Sequence, residues 1–134
     1  MVKQYLLDTH SFLWAVTAGR EERLSEPALS AILDEEAELY LSAASLYEIA
    51  YKYKRGKLNE YEKAVLQYED NMLQLGAKEL PITSAHAYAA GVMDWEHGDP
   101  FDRILAAQSA VEGYALITKD AVFDQAPGVN ALWS

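Results

Sequence analysis

Residues 99–120 read DPFDRILAAQSAVEGYALITKD and decide the class of fold, because they predict a helix followed by a buried strand. Asp99 and Pro100 are typical of a helix start, with an N-cap followed by proline in the first turn. Ala115-Leu116-Ile117 is a short apolar run typical of a buried strand, and it leads into Thr118-Lys119-Asp120. We expect one stripe of the helix to be buried, namely Phe101, Ile104, Leu105, Gln108 and Val111.

Other short apolar runs predict the remaining strands. Tyr5-Leu6-Leu7 ends at Asp8, Leu39-Tyr40-Leu41 suits a second strand, and residues 129–132 suit the last one. Leu80-Pro81-Ile82 is predicted as a brief extended piece. Because these runs alternate with helical segments, we expect an α/β fold with a central parallel sheet of about four or five short strands, flanked by helices on both faces.

The intervening segments predict helices. The apolar series from Asn59 recurs every three or four residues and predicts one long amphipathic helix ended by Gly76, with Tyr61, Val65, Tyr68, Met72 and Leu75 on one face. Further helices are predicted over residues 12–16, after Ser25 with Ala28, Leu29, Ile32 and Leu33 together, from Ser42 or Ser45, and after Thr83 through His86 to Met93.

Length and composition exclude several classes of protein. A chain of 134 residues predicts a single domain over 1–134, and 51% hydrophobic with 24% charged residues is an ordinary globular balance. No apolar run approaches the roughly 20 residues that span a bilayer, and the N-terminus lacks the pattern of a signal peptide. We therefore expect no membrane association.

The absence of cysteine excludes disulfide scaffolds, thiol nucleophiles and zinc–cysteine sites, and it fits the reducing cytoplasm. The net charge of −10 repels nucleic acid at long range. A nucleic-acid substrate would therefore need metal ions or a local basic patch to offset that repulsion.

Four acids fall where a parallel sheet would gather them. Asp8 follows the first strand, Asp120 follows the strand ending at Ile117, and Glu48 and Asp102 lie in predicted helices. Ligands of open parallel sheets bind beyond the carboxyl ends of the strands. Carboxylates gathered there repel one another unless a cation lies between them, and oxygen-only ligands favour Mg²⁺ or Mn²⁺.

Each acid also has a structural explanation. Asp99 is an N-cap, and Asp102 in the first turn interacts favourably with the helix dipole. Glu48 completes a Ser45-x-x-Glu48 capping box or pairs with Lys52 one turn later. Asp120 caps a terminal turn. Asp8, at the end of a buried strand, has the fewest structural explanations.

Read together, four motifs resemble a known family. They are Leu6-Leu7-Asp8-Thr9-His10, residues 42–58 (SAASLYEIAYKYKRGKL), residues 97–108 (HGDPFDRILAAQ) and Leu116-Ile117-Thr118-Lys119-Asp120. The whole chain is similar to a PIN domain, and specifically to the VapC-like toxin of a bacterial type II toxin–antitoxin pair. Residues 99–103 (DPFDR) are the most specific part. Tyr47 replaces a common Trp, and residues 91–96 replace a usual Leu-Pro stretch, which bears on substrate choice.

The resemblance implies an Mg²⁺-dependent endoribonuclease that forms a homodimer and is inhibited by a cognate antitoxin. The metal-binding and catalytic set it implies is Asp8, Glu48, Asp102 and Asp120, with Thr118 and Asp99 as secondary residues. Mn²⁺ is an alternative to Mg²⁺ as the cofactor.

Two rival functions stay open at this point. A phosphatase with Asp8 as nucleophile would need an acid two residues later, where this chain has His10. A catalytically silent α/β binding module would use the acids only as caps and ion-pair partners. His10 and His86 are expected to be structural hydrogen bonders, and His97 to orient the acidic helix. The basic cluster Lys52, Lys54, Arg55 and Lys57 suits either a solvated helix end or a contact for RNA phosphates.

Overall fold

A computed structural model describes residues 2–134, which form one parallel sheet of five short strands. The strands are β1 (Gln4–Leu7), β2 (Glu38–Ser42), β3 (Ala77–Leu80), β4 (Ala115–Ile117) and β5 (Ala131–Leu132). Their order across the sheet is β3-β2-β1-β4-β5, and every neighbouring pair is parallel. The predicted α/β class and the central parallel sheet are confirmed.

Seven α-helices connect and cover these strands. They are α1 (Thr9–Val16), α2 (Glu26–Leu33), α3 (Ala43–Lys54), α4 (Glu62–Leu66), α5 (Tyr68–Leu75), α6 (Ser84–Val92) and α7 (Pro100–Glu112). Short 3₁₀ turns occupy Glu21–Arg23, Asn59–Tyr61 and Ala121–Gln125. In the described residues 2–134, no helix is both long and apolar enough to cross a lipid bilayer.

Two apolar cores lie on the two faces of the sheet, because neighbouring residues of a strand point in opposite directions. Leu7 and Ile117 belong to the core on one face, with Phe12, Leu13 and Ile49. The other core contains Leu6, Leu80, Leu105, Ala106, Leu116, Phe123 and Ala126. Both residues of each Leu6-Leu7 and Leu116-Ile117 pair are fully buried, as strands covered on both faces require.

The local start signals of three helices are confirmed. The Ser25 hydroxyl accepts a hydrogen bond from the Ala28 amide, and Pro27 lies in the first turn of α2. Asp99 caps α7 with Pro100 at its first position. Thr83 caps α6 and also donates its own backbone N–H to His86 Nδ1, which closes a capping box. These signals are local, so they need no knowledge of the rest of the fold.

The predicted long helix from Asn59 to Leu75 is wrong. The backbone leaves the helical conformation at Gln67, with φ −113° and ψ 33°, and this separates α4 from α5. The Asn71 side-chain amide donates to the Ala64 carbonyl at 3.2 Å and satisfies a group that a continuous helix would have paired. Of the predicted stripe, Tyr68 is exposed.

Three smaller expectations also differ from the structure. The third strand ends at Leu80 and so precedes the predicted piece 80–82, because Pro81 has no N–H to donate to a sheet ladder. Helix α3 is capped by Ser42, whose hydroxyl accepts from the Ala44 amide, so the capping box at Ser45 is wrong. Leu33 and Val111 are exposed rather than buried.

Candidate active site

A cavity of about 430 Å³ opens at the carboxyl ends of β1 and β4. All four acids of the predicted set line it, although they come from four separate segments of the chain: Asp8, Glu48, Asp102 and Asp120. Asp99 lines it as well, and Lys52 and Lys119 supply the two ammonium groups of its wall. The sheet edge therefore brings together the acids that the sequence spreads over more than one hundred residues.

Asp8 lies at the junction between β1 and α1. Its backbone N–H donates to the Ile117 carbonyl at 3.1 Å, which continues the β1–β4 pairing beyond the strand. Its carboxylate accepts from the Ser11 amide at 2.8 Å and so caps α1. Burial raises the pKa of the Asp8 carboxyl, and the hydroxyls of Thr118 and Ser11 offset only part of that increase.

Glu48 is held by two partners on the cavity wall. The Thr9 hydroxyl donates to Oε1 at 2.6 Å, and Lys52 Nζ donates to Oε2 at 2.7 Å. The pairing with Lys52 that the sequence offered as one alternative is therefore the one that forms. Because both oxygens are engaged, Glu48 is fixed between α1 and α3.

Asp102 lies in the first turn of α7 and contacts His97, with 2.7 Å between Oδ2 and Nε2. Burial raises the pKa of the Asp102 carboxyl, and the neighbouring charges of Asp99 and Glu48 raise it further. His97 opposes this increase through its hydrogen bond. The expectation that His97 orients the acidic helix agrees with this contact.

Asp99 and Asp120 serve as helix caps while they line the cavity. Asp99 Oδ1 accepts from the Phe101 and Asp102 amides at 2.9 and 3.2 Å. Asp120 Oδ1 accepts from the Val122 amide at 3.0 Å. The hydroxyl of the buried residue Thr118 accepts a hydrogen bond from the Asp120 amide at 3.1 Å, so Thr118 helps to position Asp120.

The side chains of the cavity fit a hard divalent cation, because their negatively charged donor atoms are all carboxylate oxygens. They are not grouped around one point, however. Within the described residues, no three His, Asp or Glu side chains are placed so that they could hold one ion. An ion bound here would need the carboxylates to move together.

Arg103 organises the segment between α6 and α7. Its guanidinium donates to four backbone carbonyls: Ala90 at 3.0 Å, Met93 at 2.7 Å, Trp95 at 2.5 Å and His97 at 2.9 Å. These bonds satisfy the end of α6 and fix the backbone of His97, the residue that contacts Asp102. Sequence reasoning quoted Arg103 within a motif but missed this role.

Several other residues of the cavity wall were not predicted. Thr9, His10, Trp14, Lys52 and Lys119 all line it. His10 and Trp14 pack against each other with 5.7 Å between ring centroids. The sequence could have shown that His10 and Trp14 lie near the cavity, since a helix that starts after Asp8 has its first turns at the edge of the sheet where the strands end.

His86 is the structural hydrogen bonder that the sequence suggested. It is fully buried, its Nδ1 accepts from the Thr83 amide at 3.0 Å, and its Nε2 lies 2.7 Å from Glu112 Oε2. It joins α6 to α7 away from the cavity.

Comparison with known proteins is consistent with this architecture. The family model described as the PIN domain matches residues 5–129. No curated protein is similar enough to this chain in sequence to count as a match.

Three solved structures illustrate the similar fold, and one of them is named as a toxin. VapBC2 from Rickettsia felis, bound to a DNA fragment from its promoter, is 17% identical with a TM-score of 0.68, and the match covers 98% of this chain and 99% of that one. FitAcB from Neisseria gonorrhoeae is 20% identical with a TM-score of 0.64 and 96% of both chains covered. VapC20 from Mycobacterium tuberculosis, a sarcin-ricin loop cleaving toxin, is 14% identical with a TM-score of 0.65 and 97% and 99% covered. At these identities the likeness shows a shared fold.

We predict that Asp8→Asn leaves the stability of the metal-free protein unchanged or slightly raised. A carboxyl whose pKa is higher in the folded than in the unfolded state destabilises the fold once the pH exceeds the unfolded value of about 3.9. Stability is therefore lost as the pH rises through that region, and asparagine, itself a good N-cap, removes the effect. Urea unfolding at several pH values measures this change in stability.

Asp8→Ala, which lacks the cap, should be less stable than Asp8→Asn by about 1 kcal/mol. A large loss of stability in Asp8→Asn at pH 7 would contradict the assignment.

We predict that Arg103→Ala lowers the free energy of unfolding by about 2–4 kcal/mol, because it leaves several carbonyls without a charged donor. Arg103→Lys should recover less than half of the loss, since one ammonium cannot reach four carbonyls at once. Urea denaturation measures both. Arg23→Ala, at an exposed site, is the matched control and should change stability by less than about 0.5 kcal/mol. Full recovery by lysine would show that the four-carbonyl contact is not what stabilises this segment.

Proposed function

This chain belongs to the PIN domain family, and from that membership we propose that it is a divalent-metal-dependent endoribonuclease and the toxin of a type II toxin–antitoxin pair. The observation that carries the proposal is the meeting of Asp8, Glu48, Asp102 and Asp120 in one cavity at the carboxyl edge of the sheet. The similar fold of VapC20, named as a sarcin-ricin loop cleaving toxin, supports RNA as the substrate.

The proposed cofactor is Mg²⁺, with Mn²⁺ as the alternative. Asp8 and Asp102 would bind it directly, and Glu48 and Asp120 would complete the site, with Thr118 and Asp99 as secondary residues. When bound, such an ion lowers the pKa of a water molecule and stabilises negative charge on the phosphate during in-line attack. It would also offset the carboxylate charge that repels the RNA backbone.

The protein's own residues position two of these acids on the cavity wall. Thr9 and Lys52 fix the two oxygens of Glu48, and His97 fixes one oxygen of Asp102. Lys52 lies on the cavity wall together with Lys119, where ammonium groups attract phosphate oxygens. The N-termini of α1 and α7 face the same region, and their backbone dipoles favour anions.

We predict that the purified protein cleaves RNA with Mg²⁺ and loses this activity in EDTA. Asp8→Asn and Asp102→Asn should each lower the cleavage rate by at least about 100-fold, because each removes a proposed metal ligand. Asp70→Asn, an exposed carboxylate on α5, is the matched control and should cleave at the wild-type rate. Cleavage is measured with labelled RNA on denaturing gels. Full activity of Asp8→Asn would exclude this site, and no cleavage under any metal would favour the binding module.

The proposed partners are RNA, a second copy of the chain in a homodimer, and a cognate antitoxin. The proposal of an antitoxin is supported by the fold that this chain shares with VapBC2, FitAcB and the toxin VapC20. The electrostatics of the cavity suggest how a partner would inhibit. A crowded set of carboxylates accepts a guanidinium as readily as a metal, and arginine can bind two carboxylate oxygens at once.

We predict that Mg²⁺ and the antitoxin compete, because a basic side chain of the antitoxin would enter the cavity. Raising Mg²⁺ should weaken inhibition of RNA cleavage more than KCl at the same ionic strength does. Titrating antitoxin against cleavage at several concentrations of each salt measures the difference. Equal effects of the two salts would exclude competition at the metal site and leave only general screening.

A further inference from the structure

A row of aromatic rings runs from Phe101, at the start of α7, along α3, and its two tyrosines are exposed. Phe101, adjacent to Asp102, contacts Tyr47 with 5.6 Å between ring centroids. Tyr47 is nearly parallel to Tyr51, at 12° and 6.1 Å, and the Arg55 guanidinium lies 4.4 Å above the Tyr51 ring. Because Tyr47, Tyr51 and Arg55 are four residues apart, they occupy one face of the helix end. We call these four side chains the aromatic row.

The row contributes little to the core. Tyr47 is 62% and Tyr51 44% exposed, whereas most aromatic residues of a folded domain bury far more of their surface. The Tyr47–Tyr51 centroids are also farther apart than those of the Tyr40–Tyr114 pair, which stacks at 4.5 Å with the same angle. Much of the surface of Tyr47 and Tyr51 is therefore exposed and can be covered by a further flat group.

The charge beside the row selects an anionic occupant. In a chain of net charge −10, the basic cluster Lys52, Lys54, Arg55 and Lys57 lies at this end of α3. Lys54, Arg55 and Lys57 are exposed, and Lys52 lies on the cavity wall beside Glu48. Positive charge next to flat apolar rings is the combination that binds single-stranded nucleic acid, because the rings stack on bases and the cations contact phosphates.

We propose that the aromatic row is a stacking surface for bases of single-stranded RNA next to the cut site, with Lys54 and Lys57 contacting its phosphates. This rests on the proposed ribonuclease function and adds how the substrate is held. A duplex keeps its bases stacked on one another and has none to offer to Tyr47 and Tyr51. The row therefore selects single strands over duplexes without reading a particular base.

The proposal is tested by binding in EDTA, where cleavage does not interfere. The probe is a fluorescein-labelled oligouridine of about 12 nucleotides, a length within the range that such surfaces bind. Tyr47→Ala and Tyr51→Ala should each weaken binding about tenfold, measured by fluorescence anisotropy. Tyr47→Phe keeps the ring and should bind like the wild type. Tyr88→Ala, an exposed tyrosine on α6 outside the cavity, is the matched control and should also bind like the wild type.

A second probe isolates the stacking. An oligomer with the same phosphates but abasic sugars should bind more weakly to the wild type, and Tyr47→Ala should weaken its binding no further. If Tyr47→Ala weakened binding of the oligouridine and of the abasic oligomer equally, base stacking would be overturned. Equal binding of a duplex, wild-type affinity of both alanine variants, or no binding of the single strand would overturn the proposal. The proposal would also be overturned if the tyrosine variants lost binding to a protein partner and kept wild-type binding to RNA.

The outcomes separate this proposal from the ribonuclease function. If the protein cleaves RNA with Mg²⁺ but its tyrosine variants bind and cleave normally, the stacking proposal is wrong and the proposed ribonuclease function stands. If binding of the single strand depends on the tyrosines but no metal supports cleavage, the stacking proposal stands and the proposed ribonuclease function is wrong. With both intact, Tyr51→Ala should raise KM about tenfold and leave kcat close to the wild-type value.

Discussion

β1 pairs with a strand on each side, and this pairing fixes the edge of the sheet at which the cavity opens. β1 is four residues long, yet it hydrogen-bonds to β2 and β4 and buries Leu6 and Leu7 completely in opposite cores. A strand in this position cannot shift by one residue without exchanging the two cores. The end of β1 is therefore rigidly placed, and Asp8 is the residue at that end. Burial that stabilises the sheet is also what raises the pKa of Asp8.

Structural and functional roles coincide in the acids of the cavity. Asp8, Asp99 and Asp120 each cap a helical turn, and each also lines the cavity. The two roles have a common physical origin, since a helix that follows a strand, as α1 does, or leads into the next one, as α7 does, begins at the edge where the parallel strands end. The free N–H groups in the first turn of each helix favour negative charge, whether it belongs to an aspartate or to a phosphate. A capping role is therefore weak evidence against a functional one in this fold.

Neighbouring side chains determine how well the acids of the cavity are held. Arg103 binds four carbonyls of the segment between α6 and α7, and this fixes His97 against Asp102. On the opposite wall, Thr9 and Lys52 hold Glu48 between two helices. Each of these two carboxylates is thus held by partners within the protein. Bringing them together costs those contacts, which an ion would have to offset.

Features that depend on near neighbours could be predicted from the sequence. The caps at Ser25, Thr83 and Asp99 and the buried strand before Asp8 followed from short patterns. A general rule for parallel sheets placed Asp8 and Asp120 at one edge, and the resemblance to the PIN domain added Glu48 and Asp102. Long-range packing was needed to fix the break at Gln67, the choice of Ser42 over Ser45 as the cap of α3 and the contacts of Arg103. Each of these depends on a partner or a packing surface that no local pattern encodes: Asn71 for the Ala64 carbonyl, β3 beside Ser42, and the carbonyls that end α6. Local propensity selects among a few conformations, and burial against distant residues selects the one that forms.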